Sequence, residues 1–574
     1  MSESLVIVAI DFGTAYTGYC YWDQSHTENI KYVSWGSGHG YRTPKTPTCA
    51  LFSPSKQLRY FGYEAVIKYN TMVSEESRRW YFFENFKMEL YQKKITKNLM
   101  IPAKNGKPFP ALHVFAESLR YLKEHALSTI SKQTFGKEFT ASDVTWVLTI
   151  PAIWDAAAKQ FMREAASQAG LVSELNSHKL ILALEPEAAS LWCKQLPKEG
   201  FVSEGAGGNT FNQSPGVQYV TVDCGGGTID ITVHEVQENG SLKEIRRASG
   251  GGWGGTHVDK EFMACLREIF CHGVWGRYET EHPGELQKMM YQFSTQKCTS
   301  EEQDLEFFCH PNLIKCAQEK KEMAEFFKEV EGASWSDGYI RITHKKLRSF
   351  FESSIKQIIS EVEAVLSTPE INVEYILLVG GYASSKFLQE GIKKHFGGRC
   401  SVLCPFDSQL AIAKGAILFG VSPQIIRSRV SALTYGIAVA ERFDPAVHDE
   451  SKRRVNKTGD YIYCTDLFAI LVKKGQSVEY NETTEYLYSA IDDDQESMNF
   501  RFFCTERLSA MYVDETGLDM IGSFTVPMPN TDLGREREVK LNLKFGSTEI
   551  QATATDLSSC ETQTIKLDFL TEQN

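Results

Sequence analysis

The sequence predicts an α/β protein with two similar lobes facing each other across a cleft, followed by a mostly-β domain. Three observations carry that reading. At Leu5–Trp22 an apolar strand ends in Asp11, turns through Gly13 and Thr14, and leaves as an alternating strand. At Tyr219–Val236 the pattern recurs, with Asp223 followed by Gly225, Gly226, Gly227 and Thr228, and the two aspartates lie 212 positions apart. After about residue 421, helical periodicity gives way to short alternating strands and turn signals, as in a β-sandwich or barrel.

At 574 residues the chain is too long for one core, because single cores stop growing at roughly 250–300 residues. A hydrophobic content of 42% with 23% charged residues fits a soluble globular protein. Lys and Arg number 61 against 73 Asp and Glu, a net charge of −12, which argues against a nucleic-acid partner. The 14 cysteines are scattered singly with no C-x-x-C pair. Neither a zinc ribbon nor a redox motif is expected, and reduced thiols fit a reducing compartment. The six apolar residues before Asp11 are too few for a signal peptide. No apolar run approaches the ~20 residues of a membrane span. A soluble cytoplasmic or nuclear protein is expected.

Residues 5–10 read as a buried strand, 11–18 as a turn and 19–22 as its return. Residues 38–48, ending Thr43-Pro44-Lys45-Thr46-Pro47-Thr48, form a polar Gly/Pro loop before a strand at 49–53. The aromatic-rich stretch Tyr81–Met88 contains Lys87, which local sequence alone makes a snorkelling surface lysine. Helical periodicity covers 111–130. A buried strand follows at Val144–Ile150, stopped by Pro151, and Asp155 caps a helix that Gly170 terminates. Lys179–Leu184 is a strand, and Glu185-Pro186-Glu187-Ala188-Ala189 opens a helix with proline in its first turn. Residues 200–216 are a Gly/Ser/Asn-rich loop, and Ser249–Gly255 is a glycine loop entering a helix. Trp275–Glu306 reads as a peripheral insertion in a mostly helical stretch. Leu313–Phe327 reads as one helix whose Lys320-Lys321 pair is a solvated face. A long amphipathic helix covers 345–366. Tyr375–Val379 is a buried strand ending in Gly380-Gly381, and Leu410–Ile417 is a small-residue helix able to pack closely. Pro423–Arg429 is short and basic. Strands are read at 433–439, 468–472, 484–488, 500–503, 539–545, 549–554 and 565–569.

Glycines let the backbone approach a ligand closely, and successive amides in such a bend form an anion-binding concavity. One Gly-rich turn is an ordinary β-turn. Two of them, each opening an alternating βα region, put one hairpin in each lobe to grip a phosphate chain. Paired Asp11 and Asp223 suit Mg²⁺, which keeps several waters and takes few carboxylates plus phosphates. Gly380-Gly381, a strand end entering a helix, would close the nucleoside end. Glu185 lies at the carboxyl end of its strand, where ligands sit in α/β sheets; the plainer alternative is a carboxylate facing the helix dipole. Neither G-x-x-x-x-G-K-[ST] nor an H-R-D catalytic loop occurs.

Ile10–Tyr16 resembles the first phosphate loop of the actin/hexokinase/heat-shock ATPase superfamily, and Asp223–Asp230 resembles the second. Thr149-Ile150-Pro151-Ala152, Glu185–Ala189 and Val379-Gly380-Gly381 are similar to the remaining signatures of the seventy-kilodalton heat-shock proteins. Their order and spacing agree over residues 5–420. Leu471–Ser477 and Glu549–Asp556 resemble strands of that family's β-sandwich substrate domain. The chain resembles the family's atypical twelfth branch, which lacks the helical lid, and with only four residues after Leu570 no further helical domain is expected. The resemblance implies a two-lobed, actin-like (ribonuclease H-like) ATPase domain at 1–420, with lobes at 1–215 and 216–420. It implies a linker at 421–432 and a β-sandwich at 433–574 that binds protein clients or adaptor partners.

By the same resemblance, Asp11 and Asp223 would hold Mg²⁺ through waters. The loops Gly13-Thr14-Ala15-Tyr16 and Gly225-Gly226-Gly227-Thr228 would hold the phosphates of ATP or ADP. Lys87 would be the catalytic lysine, Glu185 would orient the attacking water, and Pro151 would couple the domains. Gly255, Lys320, Lys321, Gly380, Gly381 and Tyr382 would surround the nucleoside. Four departures stand out. Ala15 and Glu187 replace threonines, Tyr382–Ser385 lacks the arginine that stacks on adenine, and Gln424–Val430 lacks the acidic, leucine-rich linker that transmits nucleotide state. Three functions are expected, in this order: a slow chaperone-like ATPase, a nucleotide-binding adaptor with negligible turnover, and a small-molecule kinase on the same fold.

Overall fold

A computed structural model describes residues 6–24, 29–134, 136–174, 177–202, 211–297, 303–544, 551–565 and 570. The sequence readings that fall on 203–210, 298–302, 545–550 and 566–569 lie outside the described residues.

The first lobe is built on a sheet ordered Leu180–Leu184, Val144–Ile150, Val6–Phe12, Tyr16–Asp23 and Lys31–Tyr32, with Thr46–Pro47 also paired to Tyr16–Asp23. Val6–Phe12 is buried throughout because it is parallel to Val144–Ile150 on one side and antiparallel to Tyr16–Asp23 on the other. Its apolar run is what a two-sided central strand requires. The helices Ala111–Gln133 and Ala156–Gln168 pack into this core. The Asp155 carboxylate accepts the Ala158 N–H at 2.8 Å, the cap the sequence predicts.

The second lobe repeats the plan. Its sheet runs Ser401–Leu403, Val373–Val379, Gln218–Cys224, Ile229–Val236, Leu242–Gly251, Ile426–Val430 and Ser477–Glu479. The last two strands depart from the sequence reading, which puts a linker at 421–432. Ile426–Val430 instead joins the sheet, parallel to Leu242–Gly251 and antiparallel to Ser477–Glu479. Ile426 is buried in the core, and Arg429 finds a buried carboxylate described below. Composition made this stretch look like a free basic tether because its partners are remote in sequence.

Two other readings change. The helix Pro283–Gln296 is not peripheral. Its Phe293 stacks on Phe262 of the second lobe, ring centroids 3.9 Å apart, while Gln287 donates to Glu84 of the first lobe at 2.7 Å and Tyr291 packs on the first-lobe core. Leu313–Phe327 is two helices, Pro311–Gln318 and Met323–Phe327. The amides of Lys320 and Lys321 both turn back onto Ala317 O and end the first of them.

The lobes share a third apolar cluster. Ile7, Ala9 and Val147 of one sheet and Tyr219, Val236 and Leu377 of the other meet around the helices Glu185–Cys193 and Ala411–Val421. Small residues set that approach: a Cβ on Gly415 would fall 1.6 Å from Ala188 O. Beyond the lobes, Arg453–Val455, Ile462–Val472, Thr434–Arg442, Ser497–Thr505 and Leu518–Pro527 form one antiparallel sheet. Thr483–Ser489, Glu538–Lys544, Gln551–Asp556 and Thr562–Ile565 form another. Alternate residues of both, among them Ile437, Phe500, Phe502, Leu541 and Ala554, fill one core as in a sandwich. Among the described residues, no helix is long and apolar enough to cross a membrane.

Candidate nucleotide site

The two hairpins meet tip to tip. In the first, Asp11 pairs with Gly18, and in the second Asp223 stands opposite Asp230. A Cβ on Gly226 would lie 2.7 Å from Ala15 Cβ, and one on Gly227 would lie 2.6 Å from Thr14 Oγ1 and 2.4 Å from Met88 Sδ. Glycine is therefore required by close approach between the loops. Behind the second loop, the amides of Gly254, Gly255 and Thr256 donate to the carbonyls of Gly227, Gly225 and Gly226 at 3.2, 3.0 and 2.7 Å. Among the described residues, no turn or loop carbonyl accepts the amides of Thr14, Ala15, Gly226 and Gly227. Such a set suits an anion.

Carboxylates and ammonium groups gather at the same place. Lys87 is only 2% exposed and donates to Glu185 Oε1 at 2.6 Å, with its ammonium 5.2 Å from the centroid of the Trp154 ring. The surface lysine suggested by local sequence is thus corrected: a partner 98 residues away pulls it inside. Lys45 donates to Asp11 Oδ2 at 2.6 Å. Asp230 Oδ1 accepts the Ile153 N–H at 2.9 Å. Asp223 Oδ1 is buried without a hydrogen-bond partner, and Gly380, at φ +89°, leaves room for it where a Cβ would stand 2.4 Å away.

Among the described residues, four carboxylates, Asp11, Glu185, Asp223 and Asp230, gather around the two ammonium groups of Lys45 and Lys87. Burial, then Glu185, Asp230 and Asp11, hold the Asp223 carboxyl well above the ordinary aspartate range, with Lys45 opposing. Burial also pushes Glu185 up to about 7, against Lys87 and together with Asp11 and Asp230. A bare buried carboxylate beside free amides fits a hydrated divalent cation carrying a phosphate chain.

The structure brings Asp11, Gly13, Thr14, Ala15, Lys87, Glu185, Asp223, Gly225, Gly226, Gly227 and Thr228 together where the two hairpin tips meet. Gly255 and Gly380 shape this site from behind. Tyr16 begins the strand leaving the first loop. The proposed nucleoside residues are less gathered. Tyr382 is buried in the second-lobe core, its ring 6.1 Å from Phe351. Lys320 is exposed, and Lys321 lies 4.3 Å over the Phe326 ring. Gly381 has open space at its Cβ position. Sequence reasoning missed Lys45, Trp154 and Asp230 as site residues. Counting the hairpin register would have found Asp230, and the prolines flanking Lys45 hinted at a fixed position.

Two lobes, each presenting an Asp–Gly hairpin to a common cleft and followed by a β-sandwich, define an actin-like ATPase fold with a β-rich appendage. The sequence model for the family described as "Hsp70 protein" matches residues 81–450, and the chain belongs to the Hsp70 family. It is 33% identical to Heat shock 70 kDa protein 12A of Homo sapiens over 99% of this chain and 92% of that protein. Against Heat shock 70 kDa protein 12B of Homo sapiens the identity is 34%, over 98% and 91%. It is 25% identical to Chaperone protein DnaK of Thermotoga petrophila over 54% of this chain and 48% of that one.

Proposed function

We propose that this chain binds ATP with Mg²⁺ between the two hairpins, hydrolyses it slowly, and engages protein partners through residues 433–574, with 1–420 as the ATPase unit and 421–432 joining the two. The observation that carries the reading is the buried Lys87–Glu185 pair, set among carboxylates between two side-chain-free loops. Bound Mg²⁺-ATP supplies the reactive phosphoryl group and the cationic charge. The loop amides and the hydroxyls of Thr14 and Thr228 bind and orient the phosphates. Asp11 and Asp223 would hold Mg²⁺ through its waters, and the cation would supply positive charge to the phosphates. Glu185 accepts a hydrogen bond from the attacking water and takes its proton, and Lys87 fixes the carboxylate that does so. Little more is asked of the protein, since phosphoryl transfer depends on positioning and charge neutralisation.

A second reading, a nucleotide-binding adaptor with negligible turnover, is favoured by the strand at Ile426–Val430, whose burial ties the joining segment to the second lobe. Phosphate release without an added acceptor, abolished in Asp223→Ala, supports the ATPase. Binding with no release over hours supports the adaptor. ADP production that requires an acceptor, with none from water, sinks both in favour of a kinase.

A further inference from the structure

Lys45 sits in a segment whose backbone Pro44 and Pro47 restrict. That segment is laced to the first phosphate loop. The Thr48 N–H donates to Ala15 O and the Thr48 hydroxyl to Gly13 O, both at 2.8 Å, and Thr46 and Pro47 pair with Thr17 and Tyr16. The lysine stem runs along Gly18. A Cβ there would stand 3.0 Å from Lys45 Cγ and 2.9 Å from Pro44 O. The ammonium is thereby aimed at Asp11, Nζ to Oδ2 2.6 Å, on a side chain only 10% exposed.

The two hairpin aspartates are therefore not equivalent. Asp11 carries a counter-charge supplied by the chain itself. Asp223 keeps a buried oxygen without a hydrogen-bond partner. A divalent cation shared equally between them would sit against the Lys45 ammonium, a repulsion that water screens poorly where all three side chains are buried.

We propose that Lys45 is a tethered cation of the phosphate site: it neutralises Asp11, faces the phosphate chain of a bound nucleotide from the first lobe, and leaves the divalent cation to Asp223. This rests on the nucleotide reading above and replaces, within it, the sharing of the cation between Asp11 and Asp223. Part of the charge that a nucleoside di- or triphosphate needs is then built into the protein, and binding depends less on Mg²⁺ than two bare aspartates would make it.

The test is calorimetric binding of ADP to the full chain in EDTA and in Mg²⁺. The samples are wild type, Lys45→Met, Lys45→Arg and the double variant Asp11→Asn with Lys45→Met. The quantity read is the ratio of Kd in EDTA to Kd in Mg²⁺ within each protein, which a general loss of fold does not move. In Lys45→Met the ratio is expected to rise at least about tenfold over wild type, and Lys45→Arg is expected to restore it. The double variant leaves neither charge bare and so protects the fold; with Asp11 and Lys45 neutralised together, its ratio is expected to return towards the wild-type value. A wild type that binds ADP, with an unchanged ratio in Lys45→Met or with a double variant whose ratio stays as high as that of Lys45→Met, overturns this inference alone. A wild type that binds ADP in neither buffer overturns the nucleotide reading and this inference with it.

Discussion

Arg429 and Glu187, 242 residues apart in the chain, form a two-pronged buried ion pair, Nε to Oε1 2.8 Å and Nη2 to Oε2 2.7 Å. Glu187 lies two residues after Glu185 on the same helix. The pair thus bolts the strand at Ile426–Val430 to the helix that opens with the proposed general base. Glu244 adds a second tie by accepting the Val430 N–H at 2.8 Å.

Breaking one side of this pair strands a buried charge. Arg429→Met or Glu187→Gln alone is expected to destabilise the second lobe by about 3–5 kcal/mol. Removing both, as Glu187→Leu with Arg429→Met, recovers most of that loss, because the pair's desolvation cost disappears with it. Denaturant unfolding of the single and double variants checks this, and additive losses contradict it.

The same two groups shape a pH dependence at Glu244. Burial and then Glu187 push its carboxyl up to about 7 from the ordinary 4.5, with the Val430 amide and Arg429 opposing. The folded protein therefore holds a proton on Glu244 that the unfolded chain releases once pH exceeds 4.5. Its contribution to stability is greatest below that pH, falls as pH rises to about 7 and is level above. The slope is at most about 1.4 kcal/mol per pH unit. Melting temperature against pH is expected to fall more steeply across this window in wild type than in Glu244→Gln.

Glu185→Gln is expected to lower phosphate release by about 10²–10⁴-fold, the usual contribution of a positioned base, with ATP affinity within a few-fold of wild type. Because Glu185 is raised to about 7 and acts ionised, release by the wild type falls as pH drops below that value. The Gln variant's residual rate does not follow that titration. A Gln variant that keeps the wild-type rate removes Glu185 from the chemistry.

The strand–Asp–Gly hairpins were legible in sequence because their chemistry is local: the aspartate, the glycines and the alternating return strand lie within 18 residues at Tyr219–Val236. The cap at Asp155 and the close-packing helix at Ala411–Val421 were legible for the same reason. Pairings across long loops were not. Lys87 looks like a surface residue until Glu185, 98 positions on, is placed beside it. Lys45 meets Asp11 across 34 residues. Ile426–Val430 becomes a strand only because an edge of the second sheet is there to receive it. The helix Pro283–Gln296 looked peripheral because its second apolar contact lies on the other lobe.

Loop contact gives a further expectation. Gly226→Val puts atoms where Ala15 already stands, 2.7 Å from a Cβ at that position. It is expected to wedge the hairpins apart and cut nucleotide affinity at least about tenfold, or 1.4 kcal/mol. Gly398→Ala, at a turn with open space around it and no positive φ, serves as the control and leaves affinity unchanged. Equal affinities for the two variants in calorimetry contradict the tip-to-tip arrangement.

The most direct measurement of the central claim is calorimetric titration of Mg²⁺-ATP into the full chain and its Asp223→Ala variant, with circular dichroism confirming that both are folded. Saturable binding at one site in the wild type, lost in Asp223→Ala, is the predicted result. A folded wild type that does not bind, or an Asp223→Ala variant that binds as tightly, would contradict the account.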